Sequence, residues 1–99
     1  RREGKKPKLA PSEVLLELFR ELGDAADRRD LRYVLTLLLI RRRLLRLEET
    51  VEEPDGTETM VLYCPRDEQT YRTTTVAPGE VRQREIQEYL SQLLYAPTE

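Results

Sequence analysis

The chain has 99 residues, which is enough for one domain and too few for two. Hydrophobic residues make up 38% of it and charged residues 36%, so a compact core must lie beneath a heavily charged surface. A net charge of -2 gives the molecule no strong attraction for nucleic acid or acidic membranes, and no apolar run approaches the roughly 20 residues that cross a bilayer.

The first ten residues differ in character from the rest. Residues 1–10 contain five basic side chains and one glutamate, together with Gly4 and Pro7, and this composition predicts a flexible basic arm or linker. The arm lacks the aromatic residues that usually accompany basic side chains in nucleic-acid binding, although it could still touch phosphates. We expect the folded α+β domain to occupy residues 11–97.

The first predicted helix covers residues 12–22. Ser12 is a suitable N-cap, and Gly23 is a natural stop just beyond the last turn. The apolar residues repeat with the spacing of one buried helix face: Leu15, Leu18, Phe19 and Leu22.

A second, stronger helix is predicted for residues 28–44, with Asp27 as its cap and Asp30 completing a pair that resembles a capping box. Its apolar residues form two stripes, Leu31, Val34, Leu35, Leu38 and Leu45 in the first and Tyr33, Leu37, Ile40 and Leu44 in the second. A helix with two apolar stripes is usually central in a fold, so Leu38 should be among the most buried residues. The short connection at residues 24–26 predicts a helical hairpin.

Beyond residue 44 the pattern changes from the period of a helix to that of a strand. Leu45, Leu47, Glu49 and Val51 alternate with Arg46, Glu48, Thr50 and Glu52, and residues 57–64 and 71–76 are rich in strand-forming types. Pro54-Asp55-Gly56 and residues 65–68 are typical turns, so the strands should form an antiparallel meander. One side of this sheet should face water through Glu48, Thr50, Glu52, Arg72 and Thr74.

The last predicted element is a helix over residues 80–95, which Pro97 should end. Its apolar face carries Ile86, Tyr89, Leu90, Leu93 and Leu94. The predicted fold class is therefore α+β: a helical hairpin, a three-stranded antiparallel β-meander and a C-terminal helix, with the helices mainly on one face of the sheet.

The helical segments at residues 14–22 and 31–43 resemble a group of small uncharacterised bacterial proteins of unknown function. The resemblance covers about residues 12–95 and rests on the hydrophobic pattern and on Tyr33-Val34-Leu35. In those proteins the region follows a short cysteine-containing segment, which implies further residues upstream of Arg1. The resemblance implies a bacterial origin, and it supplies no catalytic or binding residue.

The sequence lacks most residue types that active sites use. Histidine is absent, which removes the commonest general base and metal ligand, and with them a Cys–His pair and an ordinary zinc site. The four glycines are isolated from one another, so no phosphate-binding loop is present. We therefore expect no enzyme, no cofactor and no metal.

The single cysteine, Cys64, cannot form an internal disulfide, which indicates a reducing compartment such as the cytoplasm. Because it precedes Pro65 at a strand end, one interpretation is a redox-active or haem-contacting thiol. The favoured interpretation is a small buried residue on the same side as Met60 and Leu62, since nothing nearby would activate the thiol.

A basic band forms the strongest cationic cluster of the folded part. Its residues Arg41, Arg42, Arg43 and Arg46, with Lys5, Lys6 and Lys8 of the arm, are candidate contacts for phosphates or for an acidic partner. The competing interpretation is structural, because arginines suit a helix C-terminus and the following glutamate-rich hairpin should pair with them. A nucleic-acid-associated domain is therefore the alternative function.

The leading function is a non-catalytic protein-interaction or assembly module. The second helix has more apolar surface than this small domain can cover, and a three-stranded sheet has two edges that must be covered or paired. The candidate partner surface is Leu90, Leu94, Tyr95, Tyr71 and Thr73. Binding of a protein partner or self-association, most simply as a C2 dimer, is expected, without a membrane or a small-molecule substrate. Tyr63 and Tyr71 should contact each other, either exposed or packed beneath a helix.

Overall fold

The computed structural model describes residues 11–95, and for Pro11 and Tyr95 the backbone alone. The predicted basic arm, including Lys5, Lys6 and Lys8, and the predicted stop at Pro97 lie outside the described residues. The elements in chain order are α1 (Pro11–Leu22), a short 3-10 turn (Ala26–Arg28), α2 (Arg29–Arg41), β1 (Arg46–Glu52), β2 (Glu58–Cys64), β3 (Gln69–Thr75) and α3 (Glu80–Tyr95). The predicted α+β class and element order are confirmed.

The start of the second helix differs from the prediction. Asp27 lies inside the 3-10 turn, and neither that turn nor α2 has a side-chain cap at its N-terminus. The Asp30 carboxylate instead accepts a hydrogen bond from the Leu31 N–H at 2.7 Å. The 3-10 turn tightens the chain between the helices, and tight turns of this kind can replace a side-chain cap at a helix start.

The second helix also ends earlier than predicted. Arg43 adopts a left-handed conformation, with φ of 64°, and stops the helix after Arg41. The Leu44 N–H bonds to the Leu39 carbonyl at 2.9 Å, and the Arg43 N–H bonds to the Ile40 carbonyl at 3.0 Å. These two bonds form a Schellman motif, a helix end in which glycine normally takes the left-handed position. An arginine there gives no sequence signal for a stop.

Burial along α2 agrees with the first predicted stripe at Leu31, Val34 and Leu35 and departs from it at Leu38. Leu38 is only half-buried, whereas Leu39 is 0% exposed. The most buried stripe is Arg32, Leu35, Thr36 and Leu39, which has the spacing of one helix face. Because two members of this stripe are polar, the hydrophobic pattern pointed to the neighbouring face.

The sheet has the order β1-β2-β3 with both pairs antiparallel, which confirms the predicted meander. A bulge at Glu48 shifts the register of β1, so Leu47 and Val51 lie on opposite faces rather than on one. Gly56, with φ of 90°, makes the first turn, as its position predicted. In the second turn the left-handed residue is Glu68, with φ of 57°.

The helices occupy one side of the sheet. Helices α1 and α2 pack against each other as a hairpin, α2 contacts β3, and α3 packs on α1 and α2. One hydrophobic cluster joins α1, α2, β2 and α3, and its fully buried members include Leu15, Leu16, Leu35, Leu62 and Leu90. Strand β1 contributes no residue to this cluster, and all of its residues are exposed.

Candidate interaction surfaces

Two of the five residues of the predicted partner surface are inside the protein. Leu90 is 0% exposed and Thr73 is 3% exposed, so the prediction is wrong for both. Leu90 faces the helical hairpin, and Thr73 lies opposite Met60 on the core face of the sheet. Leu94 is half-buried at the surface, and the side chain of Tyr95 lies outside the described residues.

Tyr63 and Tyr71 do not form the predicted pair. Tyr71 lies opposite Leu62 and Tyr63 opposite Thr70, so the two rings are on opposite faces of the sheet. The Tyr71 ring meets the Phe19 ring edge-on, with centroids 5.7 Å apart, which anchors α1 to β3.

A surface depression lies between α2 and α3, and two arginines without an ion-pair partner among residues 11–95 line it. This α2–α3 groove encloses about 230 Å³ and is lined by Val34, Leu37, Leu38, Arg41, Arg42, Gln83, Gln87, Ser91 and Leu94. Its lining combines leucine and valine side chains with the two arginines of α2 and with amide and hydroxyl groups of α3. A neighbouring depression is larger, and its central charges, Asp30 and Arg82, already pair with each other at 2.9 Å.

The predicted basic band is divided between two places. Arg41 and Arg42 line the groove, and no carboxylate of residues 11–95 lies within ion-pair distance of either. Arg46 lies elsewhere: it bonds to Glu48 at 2.7 Å, and its guanidinium is 4.8 Å from the centre of the Tyr63 ring. The predicted pairing between the band and the acidic hairpin is therefore met in the described part of the chain by Arg46 alone.

The β3 edge of the sheet is covered by α2. Arg32, which is 1% exposed, donates from Nε and Nη2 to the Thr74 carbonyl, at 3.1 and 2.8 Å, and from Nη1 to the Gly23 carbonyl. Two residues further on, the Val76 N–H donates to the Arg29 carbonyl at 3.2 Å. One arginine thus joins the end of α1, the start of α2 and the outer edge of β3.

The β1 edge, by contrast, is open. All seven residues of β1 are exposed, and β2 is its one partner strand within the described chain. The Glu53 N–H donates to the Thr57 carbonyl at 2.8 Å, and bonded and non-bonded pairs alternate along an antiparallel ladder. Glu49 and Val51 therefore bond to β2, whereas the backbone N–H and C=O groups of Thr50 and Glu52 point away from the sheet.

Sequence reasoning missed Arg32 as the residue that closes one edge. A charged residue in the middle of a helix normally indicates a solvated face. The one available signal was its spacing, because Arg32 and Thr36 interleave with Leu35 and Leu39 at the intervals of a single stripe.

A small charged cluster fastens α1 to the turn between β2 and β3. Asp67 accepts hydrogen bonds from the Tyr71 hydroxyl and, at 3.0 Å, from the Arg20 guanidinium. These donors stabilise the carboxylate and lower the pKa of Asp67 to about 2, while the neighbouring Tyr71 hydroxyl and Asp67 carboxylate raise the pKa of Arg20. Arg66 and Glu13 form a second ion pair at the same end. Each charge has a partner here, so the cluster serves as a structural fastening.

Cys64 is 0% exposed and lies on the core face with Met60 and Leu62, which confirms the favoured interpretation. In the part of the chain that the structure describes, no group of three or more Cys, Asp or Glu side chains could hold a metal ion.

Comparison of the chain with protein-family models, curated proteins and solved structures finds no match. The resemblance to uncharacterised bacterial proteins therefore stays a prediction. None of the helices described here has both the length and the apolar character needed to cross a membrane.

Proposed function

We propose that this protein is a non-catalytic protein-interaction module that binds an acidic amphipathic helix in the α2–α3 groove. The observation that carries the proposal is a groove lined by leucine and valine side chains together with two exposed arginines, Arg41 and Arg42, that pair with no carboxylate of the described residues. The buried Cys64 supports a reducing compartment, and we place the protein in the cytoplasm.

A helix is the occupant that best suits the shape of this site. Grooves between neighbouring helices recognise amphipathic helices through apolar side chains spaced at i, i+3, i+4 and i+7. Leu37, Leu38 and Leu94 are half-buried, so each still has surface to cover. Removing that surface from water stabilises a complex by roughly 25 cal/mol per Å².

The charges select the partner. Arginine forms bidentate hydrogen bonds with carboxylates, and two adjacent arginines favour acidic residues beside the apolar stripe of the partner. The amides of Gln83 and Gln87 can bond to polar groups on its other side. A basic helix would meet like charges at the mouth of the groove.

A nucleic-acid-associated domain remains the alternative function, since Arg41, Arg42 and Arg43 are consecutive and exposed. The two functions differ in their ligand and in salt dependence. Phosphate contacts release counterions, so DNA or RNA affinity falls steeply between roughly 50 and 200 mM salt.

The test uses the full chain labelled with 15N and three probes. These are a synthetic amphipathic helix with a leucine stripe and flanking glutamates, the same helix with lysines, and a generic oligonucleotide. We expect the acidic helix to shift the backbone signals of Leu37, Leu38 and Leu94, and the lysine helix to leave them unchanged. Equal effects of the two helices would overturn the proposal, and binding of the oligonucleotide alone would establish the alternative.

A matched pair of variants tests the arginines. Arg41→Glu with Arg42→Glu should weaken binding of the acidic helix by roughly tenfold or more, since it replaces attraction by repulsion. Arg28→Glu with Arg84→Glu makes the same change in net charge at exposed positions outside the groove and should leave the affinity within about twofold. The same loss in both variants would show that net charge, and not the groove, governs binding.

A further inference from the structure

We propose that the open β1 edge binds an extended basic segment of a partner protein as a fourth strand of the sheet. This site lies on a different element from the α2–α3 groove, and its recognition rests on the backbone of β1 rather than on side chains that line a groove. The experiments that test this proposal are therefore independent of those that test the proposed function.

The backbone of β1 presents the groups that an added strand needs. The N–H and C=O groups of Thr50 and Glu52 point outward, two residues apart, as the bonding sites of a new antiparallel or parallel neighbour require. The opposite edge cannot accept a strand along its second half, because Arg32 and Arg29 already bond to Thr74 and Val76. That half of the β3 edge is therefore closed to an added strand, whereas the corresponding groups of β1 are free of partners among the described residues.

The charge of β1 identifies the occupant as basic. Glu48, Glu49 and Glu52 are exposed, and the only basic residue of the strand, Arg46, already bonds to Glu48. Opposite charges facing each other across two strands are stabilising, and like charges are destabilising. Lysine or arginine at alternate positions of the partner would face these glutamates.

The same charges disfavour a second copy of the chain. Antiparallel self-pairing of β1 centred on Glu49, Thr50 or Val51 places a glutamate opposite a glutamate in each case. Repulsion of this kind is a common way for natural proteins to keep exposed edges from joining. The β1 edge can therefore pair with a basic strand, and charge repulsion disfavours its pairing with β1 of a second copy.

Apolar residues beside the edge supply contact area on both faces. Leu47 is 43% exposed on the core face, and Val51 is 37% exposed on the outer face. A partner strand lying about 4.8 Å from β1 would bring its own side chains against both residues. Alternating basic and β-branched residues are the sequence that fits this surface best.

Amide hydrogen exchange of the free, full chain gives the first test. The amides of Thr50 and Glu52 should exchange quickly, and those of Glu49 and Val51 slowly, because only the second pair bonds to β2. A synthetic peptide of alternating lysine and valine should then protect Thr50 and Glu52. A glutamate–valine peptide of equal length is the matched control and should protect neither.

A proline variant separates backbone pairing from surface attraction. Thr50→Pro removes an N–H that β2 does not use, so the fold should persist while the affinity for the lysine peptide falls roughly tenfold or more. Thr50→Ala keeps the N–H and should bind as the unaltered chain does. If Thr50→Pro fails to fold, the double variant Glu49→Lys with Glu52→Lys tests the proposal instead. This variant should bind the glutamate peptide more tightly than the lysine peptide.

Three results would overturn this proposal. One is an unchanged exchange rate at Thr50 and Glu52 with millimolar lysine peptide. Another is equal binding by Thr50→Pro and Thr50→Ala. The third is protection of Thr50 and Glu52 in the free chain that disappears when residues 1–10 are deleted, because the edge would then belong to the basic arm of the chain itself. Loss of helix binding in the groove variants affects none of these results.

Discussion

The two outer strands of the sheet have equal length and opposite surroundings. Strand β1 contains Leu47 and Val51 and is exposed throughout, whereas β3 carries four threonines and buries Thr73 and Thr75. The hydrophobicity of the strands therefore does not decide which edge is covered. The neighbouring helix decides it, because α2 places Arg32 against β3 and nothing comparable against β1.

The largest effect on stability should come from removing Arg32, the residue that covers the β3 edge. Arg32→Ala takes away the donors to Gly23 and Thr74 and should lower the free energy of unfolding by roughly 4 kcal/mol, since hydrogen bonds from charged groups contribute about 1.5–3 kcal/mol each. Urea denaturation measures the change. Arg32→Lys keeps the positive charge without the planar guanidinium, so its free energy of unfolding should lie between those of the unaltered chain and Arg32→Ala. An Arg32→Ala protein as stable as the unaltered chain would contradict the role given to this side chain.

Two adjacent leucines of α2 test which face of this helix is buried in the core. Leu39 is 0% exposed and Leu38 half-buried, so Leu39→Ala should cost roughly 3 kcal/mol and Leu38→Ala about 1 kcal/mol. Thermal or urea unfolding of the two variants gives the comparison directly. The reverse order would place the buried stripe where the hydrophobic pattern alone predicted it.

The same substitution in both outer strands provides a smaller and sharper contrast. The Thr73 hydroxyl is buried without a hydrogen-bond partner among the described residues, and Thr50 is exposed. Thr73→Val should raise the free energy of unfolding by about 1 kcal/mol, because an unpaired buried hydroxyl is removed, while Thr50→Val should change it by less than about 0.5 kcal/mol. Stabilisation of similar size in both would show that strand propensity rather than burial is responsible.

The smallest effect should be a dependence of stability on pH that arises in the turn between β2 and β3. The pKa of Asp67 is lowered to about 2, so its bonds to Tyr71 and Arg20 stabilise the protein above the ordinary aspartate pKa of about 3.9. That contribution should be lost as the pH falls through about 2. Melting temperatures between pH 6 and pH 2 should fall less steeply for Asp67→Asn than for the unaltered chain, and parallel curves would rule out this cause.

The sequence predicted the element order, the meander and the burial of Cys64 because each follows from a local pattern: helical or alternating spacing, or a turn with proline and glycine. It failed where polar residues take positions that apolar ones or glycine usually hold. Arg32 and Thr36 occupy the buried stripe of α2, and Arg43 replaces a glycine at the helix end. The predicted partner surface was wrong at Leu90 and Thr73 for a different reason. Their exposure depends on how α3 and α2 pack against elements that are distant in the sequence.

Carbonyl oxygens, not carboxylates, hold the guanidinium of Arg32. Carbonyls do not titrate, and dipoles at this short range are little affected by dissolved ions. In acid the ion pairs of Arg20 with Asp67 and of Arg82 with Asp30 should dissolve as their carboxylates take up protons. The hydrogen bonds of Arg32 that join α1, α2 and β3 should remain at that pH. A partly unfolded acid form should therefore lose these ion pairs first and the Arg32 hydrogen bonds last.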